Sequence, residues 1–267
     1  MTLTSSRRGA VAELGGSALR WFIEWWRIVL LGVLILALAL SPSSYRQAGR
    51  APLLHRIYVS IAPNLLWFTV LSALLSLVLI RIVLVTAHSY GLSQYALQMV
   101  VRVLVLELIP LTTALFVALR CTIPHASEVG AMHARGELES LRDRGVDPVL
   151  LELLPRVMAG AFAVLTLAAV SSVATLVLAY LSVYGFTRWG FASYTHTVGQ
   201  IFAPAVALIF SLKILLMSAA VSLIPVGSVL YDSGRQRSRS SLEMRGLVRM
   251  FSAILLIEVA SLIGNYY

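Results

Sequence analysis

The chain has 267 residues, of which 59% are hydrophobic and only 12% charged, with a formal net charge of +9. A soluble domain carries about 25% charged residues, and a water-soluble fold of this length could not hide so much apolar surface. These figures exclude a soluble enzyme, a disulfide-stapled secreted module and a disordered chain, and they predict an all-α integral membrane protein.

Residues 1–56 read as an N-terminal segment. Its apolar run, Ile28 to Leu40, has 13 residues, short of the roughly 20 that a span needs. Arg20 and Arg27 precede the run, and Arg46, Arg50 and Arg56 follow it, so a crossing would strand one cluster on the wrong side. Trp21, Trp25 and Trp26 suit a headgroup boundary. Residues 17–41 are therefore expected to lie in the cytoplasmic interface or to dip in and return; a sixth span is the alternative. No cleavable signal peptide is expected: the apolar run follows Arg20, Glu24 and Arg27 and ends at Ser41-Pro42.

Residues 57–267 read as a five-span domain. The expected spans are Ile57 to about Ala87, Tyr95 to Leu119, Val157 to Thr187, Val198 to Val226 and Leu247 to Tyr267. With the N-terminus inside, 17 of the 21 basic residues fall on the cytoplasmic side, as the positive-inside rule requires. The C-terminus is then outside, where Tyr184, Trp189, Tyr194, Tyr266 and Tyr267 suit an aromatic belt. This distribution explains the excess of arginine better than nucleic acid does, and none is expected as a partner. The lone lysine, Lys213, sits in an apolar run, so no phosphate-cradling Gly-Lys-Ser/Thr loop exists. If ATP drives the protein, another chain binds it. The single cysteine, Cys121, forms no internal disulfide, and the histidines lack metal-ligand spacing.

The loop after the second span, residues 128–147, reads as a short charged helix. Arg135 with Glu139, and Glu139 with Arg142, have helical pair spacing. Gly145 suits a C-terminal cap, and Asp147-Pro148 suits the start of the next helix. Val129, Met132, Leu138 and Leu141 form a narrow apolar stripe. A helix tied to two spans can carry force from a cytoplasmic partner into the membrane; a solvated loop helix is the alternative.

From Glu107 to Gly160 the chain resembles the permease subunits of MCE-type (mammalian cell entry) lipid ABC transporters, the MlaE or YrbE permeases. The resemblance rests on Glu107-Leu108-Ile109-Pro110, Ala118-Leu119-Arg120, Ser127-Glu128-Val129-Gly130-Ala131-Met132, Glu137 with Leu141, Val146-Asp147-Pro148 and Pro155-Arg156, in the family's order. The family's Arg before this Glu is Leu106 here, and two of its glycines are Ile109 and Leu119. The resemblance implies an N-terminal interfacial helix, five spans and a coupling helix over 128–147 that docks on an ATPase. Glu128, Met132, Arg135, Glu137, Leu138, Glu139, Leu141, Arg142 and Asp143 would make that contact, with complementary charges. It also implies a homodimer in the bacterial inner membrane, an ATPase dimer that holds ATP and Mg, a periplasmic MCE-domain oligomer and phospholipid cargo. No cofactor is expected on this chain.

Charges at mid-bilayer cost roughly 2.5–3.5 kcal/mol each on insertion scales. Glu107 lies 13 residues before Arg120, about 20 Å along a helix, and Lys213 is equally central in the fourth span. Opposite signs at one depth predict that they approach each other or a shared polar cavity. Pro110 frees the Leu106 carbonyl beside Glu107. Glu107, Lys213 and Glu258 match charged positions of the family, and the resemblance places them at a lipid cavity. A buried pair that only fixes helix register is the alternative for Glu107 and Lys213. Arg81 and Arg102 lie nearer the outer half and are expected to snorkel outward; a headgroup contact is the alternative. A cargo-free membrane scaffold and an intramembrane enzyme are the competing functions. Neither His-Glu-x-x-His nor Gly-x-Ser-x-Gly occurs, and no catalytic residue is expected.

Overall fold

The computed structural model describes residues 25–39, 50–145, 147–231 and 239–266, with Ile23 and Ser41. Trp21, Arg20, Arg46, Val146, Arg235, Arg237 and Tyr267 lie outside the described residues. Helix α1 (Trp25–Ala39) is short and apolar. Five longer helices are long and apolar enough to cross a membrane. They lie within α2 (Arg50–Ser89), α3 (Ser93–Ala134), α5 (Val149–Tyr184), α7 (Pro204–Tyr231) and α8 (Arg239–Tyr266). Helix α4 (Glu137–Asp143) joins α3 to α5, and α6 (Phe191–Ile201) precedes α7. Among the described residues there is no strand.

Helix α2 lies along α5, and α7 sits centrally against α8, α5 and the last turns of α3. Helix α1 is about 22 Å long, less than the ~30 Å hydrocarbon core. Its Ile28, Leu31 and Ile35 follow helical spacing and are each 3% exposed. They face one end of the bundle, where Leu31 and Ile35 cluster with Val129, Leu154 and Val226. This end also carries α4 and Arg156 and is called the basic end.

Small side chains let the helices approach closely. A Cβ on Gly160 of α5 would lie 2.8 Å from the Thr122 methyl of α3 and 3.2 Å from Ser222 Cβ of α7. A valine there would have to push apart three helices, and overpacking of this kind costs about 1–3 kcal/mol. Gly160→Val is expected to lower the unfolding midpoint of the detergent-solubilised protein; an unchanged midpoint refutes the close contact. Across α2 and α5, the hydroxyls of Ser76 and Thr175 are hydrogen-bonded at 2.9 Å in the buried interior, a link worth about 0.6 kcal/mol between spans.

Two spans differ from the sequence expectation. The second does not end at Leu119 but runs unbroken to Ala134, because Ala126 and Val129 pack into the basic-end cluster and Gly130 admits Val229. The fourth does not start at Val198. Helix α6 ends at Ile201, and a new helix begins at Pro204. Proline has no N–H to continue α6, and it suits the first turn of α7.

Helices α3 and α5 contain three π-helical stretches, Val101–Leu108, Ala118–Thr122 and Val149–Leu153. Each ends two residues before a proline: Pro110, Pro124 and Pro155. A proline leaves the carbonyl four residues back without its partner and crowds it with its ring. A widened turn relieves that crowding without breaking the helix.

Candidate functional site

The widened turn before Pro110 builds the first part of the site. Proline offers no N–H to the Leu106 carbonyl, and the Lys213 ammonium of α7 fills that vacancy at 3.0 Å. The same ammonium donates to Glu107 Oε2 and to Glu258 Oε1 of α8, the latter at 3.0 Å. An ammonium has three donors, and all three are used. The lysine is 2% exposed. Asn265 Nδ2 donates to the remaining oxygen of Glu107 at 3.4 Å. Three helices thus converge on one buried cation, and the sequence-predicted residues Glu107, Pro110, Lys213 and Glu258 come together.

Asn265 and Ser261 belong to this site as well. Ser261, Glu258 and Asn265 share one face of α8, at a spacing of three, four and seven. That spacing, read from Glu258, was the signal that could have found them. Arg102 enters from the π-helical stretch of α3. At about 4.4 residues per turn, position 102 falls near the face of position 107, whereas an α-helix would turn it well away. Its Nε is buried without a hydrogen-bond partner, and among the described residues it has no acidic partner. It lies one turn from Glu107, on the side away from the basic end.

The basic end holds the second assembly. Arg156 of α5 pairs with Glu152 one turn earlier and donates to that residue's carbonyl at 2.8 Å. It also approaches Glu128 at 3.6 Å and the Met132 sulfur at 3.8 Å. The last turns of α3 are therefore clasped to the first turns of α5. Residues 128–147 are not one helix: positions 128–134 finish α3, the chain turns at Gly136 with φ +71°, and α4 follows. Arg135 accordingly pairs with Glu137 at 2.5 Å, not with Glu139, because the turn intervenes. The hydrogen bond from Arg135 holds the Glu137 carboxyl below its usual range and raises the guanidinium. Leu138 is buried and Leu141 half-buried, while Glu139, Arg142 and Asp143 are exposed. Gly145 has φ +76°, as a helix stop needs, and the Asp147 carboxylate caps the next helix by accepting from the Val149 N–H at 2.9 Å.

At the far end, Tyr194 is not a belt residue facing lipid headgroups. It is buried, its hydroxyl donates to the Leu176 carbonyl at 2.8 Å, and its ring meets Tyr180 edge-on at 5.2 Å. Burial pushes its phenol up to about 12. Trp189 and Phe186 are the fully exposed aromatics of this end.

The chain matches the family Permease MlaE over residues 53–263. It belongs to the MlaE permease family. No curated protein matches it. As an MlaE permease with five helices of spanning length, it is a multi-pass membrane protein and a subunit of the ABC-transporter type. In this permease Glu107, Lys213 and Glu258 of the buried cluster lie within the matched region, as do both arms of the basic-end clasp.

Proposed function

We propose that this permease is the membrane subunit of an ABC transporter that moves phospholipid, or a similar hydrophobic lipid, between the bacterial inner membrane and a periplasmic MCE-domain protein. ATP and Mg would be held by a partner ATPase dimer, and the basic end would face it in the cytoplasm. The observation that carries the reading is α3. One unbroken helix bears Glu107 of the buried cluster and, about 32 Å further on, Glu128 and Met132 at the clasp. A displacement at residues 128–147 therefore reaches the charged centre through a single rod. The exposed charges of α4 suit complementary contact with an ATPase. A homodimer accords with the broad apolar face of α2, where Leu66, Trp67 and Leu74 are exposed.

The test is purification with the candidate ATPase, followed by mass spectrometry of extracted lipid. Co-purification of the ATPase together with phospholipid is expected, and charge reversal at Glu139 and Arg142 is expected to weaken the complex. A complex that carries no lipid would favour a scaffold, and a chain that captures no ATPase would overturn the reading.

Arg102 is assigned as a headgroup contact in this scheme, since its guanidinium has no acid of its own and phosphate suits its fork. Arg102→Gln is expected to lower retained phospholipid about tenfold, the equivalent of one charge-assisted hydrogen bond. Retention at the wild-type level removes Arg102 from the site.

A further inference from the structure

We propose that Glu258 is a proton-binding site: its outer oxygen, Oε2, carries a proton, and the cluster it shares with Glu107 and Lys213 is electrically neutral. The argument begins with a count of charges. Two carboxylates surround one ammonium, so the fully ionised cluster would hold one excess negative charge inside the bundle. Excess charge in a low-dielectric interior is removed by neutralising a group. On the neighbouring helices, α7 offers Lys213 and α3 offers Glu107; the other cation of this region, Arg102, stands one turn of α3 from Glu107 and makes no ion pair with either carboxylate, and Ile109–Val117 carries no charge.

The hydrogen bonds decide which carboxyl holds the proton. Glu107 accepts at both oxygens, from Lys213 and from Asn265, as an anion should. Glu258 accepts at Oε1 only. Its Oε2 is buried with no partner, and the three donors of Lys213 are already committed. An anionic oxygen left bare is costly, whereas a hydroxyl there becomes a donor. Ser261 Oγ, one turn along the same face on a residue 6% exposed, is likewise without a partner, and no hydrogen bond joins the two groups. Neutrality has a consequence that rests on the lipid reading. The ionised cluster would repel an anionic headgroup, and the neutral one would not.

Infrared spectroscopy of the full chain in lipid nanodiscs tests the proton without any reference to transport. At neutral pH the wild-type protein is expected to show a protonated-carboxyl C=O band that Glu258→Gln removes. Absence of the band in the wild type overturns the proposal, as does a band that survives Glu258→Gln. Thermal melting gives a second reading. A glutamine amide at this position imitates a protonated carboxyl, accepting from Lys213 through its oxygen and carrying N–H where the hydroxyl would stand, so Glu258→Gln is expected to melt with the wild type. A variant that melts far lower or fails to fold shows that the anion was required.

Discussion

Lys213→Met is expected to be among the most damaging single substitutions in this permease, lowering its stability by about 3–5 kcal/mol, the range for removing one partner of a buried ion pair. The lysine is 2% exposed, and its loss leaves Glu107, Glu258 and the Leu106 carbonyl without their shared donor. The carbonyl has no alternative donor at Pro110. The cost therefore comes from groups stranded in a dry interior more than from the attraction lost. Denaturant or thermal unfolding in detergent measures it. The double variant Glu107→Gln with Lys213→Met is expected to recover most of the loss, because it leaves a neutral site. If stability recovers and lipid retention does not, the lysine contacts cargo. If both recover, the cluster only holds the helices together. A single variant as stable as the wild type would show that the cluster contributes nothing to the fold.

The location of this cluster was largely legible in the sequence. Charge is so rare within the spans that Glu107 and Lys213 had few possible partners, and Pro110 announced an open carbonyl beside one of them. Spacing along each helix gave depth, and equal depth with opposite sign gave the encounter. Ser261 and Asn265 were not legible in the same way. A serine in an apolar helix ordinarily returns its hydroxyl to its own backbone, as Ser211 and Ser252 do. Only the packing of α8 against its neighbours distinguishes Ser261 from them. Arg102 was legible as a charge within the second span, but its face was not. Its face depends on a π-helical register that Pro110 imposes from eight residues away, and ordinary 3.6-residue periodicity assigns it elsewhere.

The same limit explains the segment 128–147. Pair spacing predicted one helix, because Arg135 and Glu139 sit four apart. Local pairing of exposed charges is worth only about 0.3–0.5 kcal/mol, less than the preference of Gly136 for a turn. The glycine prevailed, and Arg135 took Glu137 instead. The bounds of the spans erred where tertiary contact overrode hydropathy: α3 continues past Leu119 because α1 and α7 cover it. Composition cannot report a covering helix.

Arg156→Met is the second substitution with a large expected effect, and under the proposed function it should separate ATP hydrolysis from transport. Arg156 is nearly buried and ties Glu152, Glu128 and Met132 to one guanidinium. Removing it takes from the half-buried Glu152 the guanidinium that balances its charge, at a cost of about 2 kcal/mol, below the range for a fully buried pair. It also frees the last turns of α3 from α5, so motion of α4 is absorbed at Gly136 and the loosened joint before it reaches Glu107. ATP turnover by the reconstituted complex is expected to persist while lipid transfer falls about tenfold or more. Arg156→Lys should be intermediate, because an ammonium supplies charge but not a planar fork that spans three partners. Wild-type coupling in Arg156→Met would place the path of force elsewhere. Parallel loss of ATP turnover and transfer would mean that the clasp shapes the ATPase contact itself. The double variant Glu152→Gln with Arg156→Met distinguishes the two contributions: it removes the carboxylate that the guanidinium balanced and should restore stability, yet it leaves the joint loose and transfer low.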